Sequence, residues 1–171
     1  MHRAINLAVR REAQRLRREI VVGLRKGSKE FEPLSPLTRA ARRLSGFRGG
    51  KPLIRSGELR NSISVVARGD RAFVGVPRKA GDKLVRIAEI HEYGTQPFVI
   101  PITPKMRKFL GALFSRERGR RKRRRGSSGP AGVVVIQIPA RPFLRTAFDR
   151  WKRSNPQRRM LAEIAKDMGW T

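Results

Sequence analysis

The sequence predicts an α+β domain: a small, mainly antiparallel four-stranded sheet packed by helices, with a long N-terminal helix and a polybasic loop insertion. Three observations carry this expectation. Apolar residues recur every three or four positions at the start of the chain and again towards its end. Four short β-rich runs lie between them, at 63–67, 72–76, 98–102 and 133–138, bounded by glycine and proline. The resulting order of helix, strands, helix, strand, helix, strand, helix suits a sheet covered by helices.

Ile5, Val9, Leu16, Ile20 and Leu24 fall on one helical stripe, with Ala8 and Ala13 filling in. Arg and Glu take the opposite face, and Gly27 is placed to stop the helix. Residues 3–26 therefore read as one amphipathic helix within a segment 1–27. Residues 28–56, punctuated by Pro33, Pro36, Gly46, Gly49, Gly50 and Pro52, read as a loop or arm holding one short helix. Ser35 caps that helix, Pro36 takes its first position, and Leu37, Ala40, Ala41 and Leu44 share a face.

A core domain is expected over 57–154. Ile63–Ala67 and Ala72–Val76 form a hairpin about Arg68-Gly69-Asp70-Arg71. The Arg-Gly-Asp tripeptide there is ordinary turn chemistry, not an adhesion signal. Leu84–Ile90 reads as a helix running into Tyr93 and stopped by Gly94. Phe98–Ile102 is the third strand, and Thr103-Pro104 opens a helix bearing Met106, Phe109, Leu110, Leu113 and Phe114. Residues 116–131 are the polybasic insertion. Its adjacent cations Arg120, Arg121, Lys122, Arg123, Arg124 and Arg125 cannot neutralise one another, so the run is expected to extend unless it meets an anion. Val133–Ile138 is the fourth strand. Pro142 then starts a helix to about Lys152 that carries Phe143, Leu144, Ala147, Phe148 and Trp151. Asn155-Pro156 breaks it, and 155–171 forms a last helix with Met160, Leu161, Ile164, Ala165 and Met168.

Charge narrows the choice of partners. Lys and Arg number 41 against 13 Asp and Glu, a net charge of +28. Such a chain repels itself and adheres to polyanions, so nucleic acid, or a lumen through which it passes, is the implied neighbour. Aromatics make up only 6%, which leaves few stacking platforms and favours phosphate contact without sequence preference. A membrane is the weaker option, because no basic helix is paired with a broad apolar face rich in Trp. The chain has no cysteine, hence no disulfide, no thiol chemistry and no Cys-based zinc site, in keeping with assembly in a reducing cytoplasm. Arg10, Arg11, Arg15, Arg17 and Arg18 interrupt any secretory h-region, and no run is long enough to span a bilayer, so a soluble protein is expected.

Catalysis is poorly provided for. The two histidines are His2, at the terminus, and His91, beside Glu92 and two residues after Glu89. No second His at i+4 completes a ligand pair, and a helix-end histidine making local contacts is the plainer reading. A small basic ribonuclease using His91, Glu92 and Arg141 is the enzymatic alternative, although no nucleophile–base spacing supports it. Gly49-Gly50-Lys51 lacks the earlier glycine and the following Ser or Thr of a phosphate-cradling loop. No catalytic residue, metal or cofactor is assigned, and the chain is not expected to be an enzyme.

Three motifs occur in order: Ser56-Gly57-x-Leu59-x-x-Ser62-Ile63 before a hairpin ending Val74-Gly75-Val76; His91-Glu92-Tyr93-Gly94-Thr95; and Ile138-Pro139-Ala140-Arg141-Pro142-Phe143-Leu144 with Ala147-Phe148. Over roughly residues 52–150 the chain resembles the tail-completion and virion-morphogenesis proteins of tailed bacteriophages. Pro101-Ile102-Thr103-Pro104 and the helix after it are similar to one branch of that family. The resemblance implies a structural virion protein of the neck, joining head to tail as a homo-oligomeric, six-fold ring between the head connector and the tail tube. A tail terminator or a head-side stopper ring is the alternative within that class; a non-specific nucleic-acid-binding protein is the alternative outside it. The implied partners are other neck and tail proteins and packaged DNA. Ser56, Gly57, Leu59, Gly94, Arg141, Pro142, Phe143 and Leu144 are the motif residues of structural or interface interest, with Ser56 a candidate helix cap. Arg141 is expected to hold a carboxylate or backbone carbonyls, within the subunit or across a ring interface. The N-terminal helix and 28–56 are candidates for reaching a neighbour, and residues 120–125 for facing DNA.

Overall fold

The computed structural model describes residues 2–27, 31–117 and 132–170. The run 120–125 and most of the insertion lie outside them. α1 spans His2–Lys26 and packs against the first hairpin and three later helices, mainly the last two. Its innermost line is Ala4, Ala8, Ala13, Ile20 and Leu24, so small residues let neighbouring backbone approach its first half. Glu12 lies on that buried line too, in contrast to the expectation that the Arg and Glu side chains of this helix take the opposite face.

α2 is Pro36–Leu44, with Ser35 Oγ accepting from Thr38 N–H at 3.1 Å and proline in the first turn. None of its residues is buried. Arg42 holds the following loop, donating to the carbonyls of Lys51 (2.8 Å) and Ile54 (2.9 Å). α3 is the short Glu58–Ser62. Its cap is Gly57 in a left-handed conformation (φ 88°), not Ser56, whose Oγ sits a long 3.5 Å from Glu58 N. Only glycine adopts that φ at little cost, so the backbone turn displaces the expected side-chain cap. Leu59 and Ile63 are both buried at this corner.

β1 (Ser64–Arg68) and β2 (Arg71–Gly75) form an antiparallel hairpin about Gly69-Asp70, with Val65 opposite Val74. A single 3₁₀ turn at Arg78–Ala80 leads into α4, Asp82–Tyr93, which starts two residues before the apolar run that announced it. β3 (Phe98–Pro101), α5 (Pro104–Glu117) and β4 (Val133–Ile136) follow; β3 and β4 pair antiparallel with Val99 opposite Val135. α6 (Phe143–Arg153) and α7 (Pro156–Asp167) end the described fold, separated by Asn155 at φ 56°.

The fold is α+β and its pairing antiparallel. The four strands, however, divide between two two-stranded sheets, β1–β2 and β3–β4, in place of one four-stranded sheet. The reason lies in what covers each. β1–β2 lies along α1, and Val74 and Val76 join a core of Ile20, Leu24, Phe31, Leu53, Leu59, Ile63, Ala88, Phe143 and Ala147. The core thus draws on α1, the 31–53 loop, α3, α4 and α6. β3–β4 contributes nothing to it.

Candidate functional site

The second and third motifs form one joint. Gly94 ends α4 at φ 74°, its N–H donating to Ile90 O at 2.8 Å. A Cβ at this position would lie 2.9 Å from both Ala140 N and Ile138 O, so two backbones meet where only glycine fits. Thr95 clamps the contact: its N–H donates to Ile138 O at 2.9 Å, and its Oγ1 accepts from Ile138 N at 2.9 Å. Arg141 N donates to His91 O at 2.6 Å.

Glu92 completes the joint from the side. Its carboxylate is buried, and its two oxygens accept from Leu144 N and Arg145 N, each at 2.9 Å. Pro142 occupies the cap position of α6 and offers no side-chain acceptor. Glu92 supplies one from another element, placing a negative charge on the free N–H groups and positive dipole of the first turn. Phe143 is buried below and Leu144 is half-buried beside it. Arg141 is buried too, its guanidinium donating to the carbonyls of Glu32 (2.8 Å) and Pro33 (3.4 Å). Of the residues singled out in the sequence, Gly94, Arg141, Pro142, Phe143 and Leu144 are brought together here.

Ser56, Gly57 and Leu59 lie elsewhere, on a half-open cleft of about 430 Å³ whose walls include Arg42, Arg55 and His91. The Arg55 guanidinium stacks 4.5 Å from the Phe47 ring centre. His91 Nδ1 is buried without a hydrogen-bond partner among the described residues, and burial first, then the nearby Arg141 and Arg42 charges, lowers its pKa. Burial likewise lowers the Arg42 pKa, helped by Arg55 and Arg141. His91, Glu92 and Arg141, the trio considered for a nuclease, are neighbours without being an acid–base set. Glu92 faces α6 and Arg141 faces the 32–33 backbone.

A second polar centre went unread in the sequence. Glu12, 2% exposed, accepts from Trp151 Nε1 (2.9 Å), from Arg159 Nε (3.0 Å) and Nη2 (2.9 Å), and from Arg15. Burial pushes its carboxyl up, but the hydrogen bonds from Arg159, Arg15 and Trp151 outweigh this and hold the pKa at about 2. Arg11 and Arg15 add pairs to Glu163, and Arg11 one to Asp167. The signal was available: Glu12 stands four residues after Ala8, on the buried line of α1.

The phage virion morphogenesis family model matches residues 8–166. The chain belongs to this family. No curated protein and no solved structure matches it significantly. The matched span exceeds the 52–150 suggested by the motifs and takes in most of α1 and nearly all of α7. In this family member those two helices are the ones tied through Glu12 and Glu163. Its role is thus a structural one in building phage particles. Among the described residues, no helix is long and apolar enough to cross a membrane.

Proposed function

We propose that this protein acts in the neck of a tailed phage, joining head to tail as a homo-oligomeric ring between the head connector and the tail tube. The carrying observation is the family match over 8–166, taken with the use to which the motif residues are put. Gly94, Thr95, Glu92 and Arg141 form a rigid joint between α4 and α6 rather than a reactive cluster. Rigid subunits suit a ring that must match the symmetry of a tail, and six copies are the expected number. A ring needs two different complementary surfaces on each subunit. A tail terminator or a stopper on the head side is the nearest variant of the same role.

The net charge of +28 favours one addition: the ring, or its basic residues 120–125, contacts the packaged DNA through phosphate. Deleting the gene tests the main proposal. Lysates should then hold filled heads and separate tails by electron microscopy, with infectivity restored when purified protein is added. Normal joined virions from the deletion rule the neck role out.

A further inference from the structure

The β3–β4 ribbon stands apart from the core. Among the described residues its strands pair with each other, and no helix or other strand packs against them more than marginally. An isolated two-stranded ribbon is barely stable in water and needs a further strand or a covering element. Here Val99, Val133 and Val135 are 61%, 63% and 65% exposed, with Val99 directly across from Val135. Among the described residues, both outer edges lack a strand neighbour. Proteins commonly guard such edges with charge or proline. Pro101 guards one end of β3, but residues 95–104 and 126–140 contain no Asp, Glu, Lys or Arg in a chain that is 32% charged.

We infer that this ribbon is where copies of the chain join, the β3 edge of one copy pairing with the β4 edge of the next. The inference rests on the ring reading and names its contact. Charge selects the occupant. Two chains of +28 repel across most of their surfaces, whereas two uncharged apolar strands approach without opposing cations. An acidic partner would be drawn to the arginine-rich remainder instead. The chain's own 118–131 segment offers only Pro130 and Ala131 as apolar residues, which do not suit a valine face. The two edges of the ribbon also differ from each other. Joining unlike edges is a head-to-tail contact, the kind that closes into a ring.

Sedimentation of the full chain, with and without single lysines on the ribbon, tests this. The runs belong at about 0.5 M salt, where screening within roughly 4–5 Å suppresses general repulsion. Val99→Lys and Val133→Lys each place a cation where no cation stands opposite within the ribbon. Both should keep the wild-type circular dichroism yet weaken self-association by about tenfold or more. Leu161→Lys, at a 68% exposed site on α7, should leave association unchanged. Hydrogen exchange reads the edges directly: amides of 98–100 and 133–136 should exchange more slowly in the oligomer than in the Val99→Lys monomer. A wild-type oligomer that survives both lysines, with no added protection on the ribbon, overturns this contact and leaves the ring intact. A wild-type chain that stays monomeric at every concentration overturns both.

Discussion

Gly94 is the residue on which the joint between the second and third motifs turns. Gly94→Ala strains a φ of 74° and drives a methyl into the backbone of Ile138 and Ala140. The expected loss is roughly 2–4 kcal/mol, a fall in melting temperature of about 5–15 °C by calorimetry. Glu92→Ala removes both acceptors at the start of α6 and leaves Leu144 and Arg145 N–H groups unpaired. It should cost about 1–3 kcal/mol in urea unfolding, with Gln in place of Ala recovering part of it. Glu12 adds a pH signature. Its folded pKa of about 2 lies below the ordinary 4.5, so the unfolded chain binds a proton first as pH falls. The stability it contributes is whole above pH 4.5 and drains away towards pH 2. Glu12→Gln should flatten this acid limb in thermal melts recorded from pH 6 to 2; an unchanged limb would mean that other carboxylates set it. His91 works in the same direction at higher pH, because its lowered pKa favours the neutral ring in the fold.

The elements were legible in the sequence where local chemistry alone decides them. Ser35-Pro36 opened α2, Gly69-Asp70 turned the first hairpin, Gly94 closed α4, and Asn155-Pro156 parted α6 from α7. What escaped depended on partners distant in the chain. Alternating apolar runs cannot say which strands share a sheet, so four strands read as one sheet where two ribbons exist. Glu92 caps a helix that begins some fifty residues later, and Glu12 binds Trp151 and Arg159 across the length of the chain. Neither is marked by a local motif. That last contact is the buried part of the α7–α1 junction, beside the more exposed pairs of Arg11 and Arg15 to Glu163 and Asp167. Arg159→Ala should therefore speed amide exchange through 156–167 while α4 and α6 keep their protection, at a cost of roughly 1–3 kcal/mol discounted for the arginine's partial exposure. Equal acceleration everywhere would place α7 within one cooperative unit with the rest.

The whole molecule combines an apolar core with a net charge of +28, and among the described residues the β3–β4 ribbon carries no charged side chain. That contrast gives the proposed ring a division of labour: the ribbon joins copies, while the cationic remainder meets acidic neighbours or DNA. Deleting 120–125 removes six cations, and a DNA-facing role then requires a shallower fall of DNA affinity with salt. An unchanged salt slope assigns the charge to protein contacts. The decisive observation is a reconstruction of the particle neck from virions that carry this protein. Six copies should encircle the axis between connector and tail tube, each placing its β3 edge against the β4 edge of the next. A neck in which this chain is absent, or a ring whose ribbons point into solvent, is incompatible with the proposed role or with its contact, respectively.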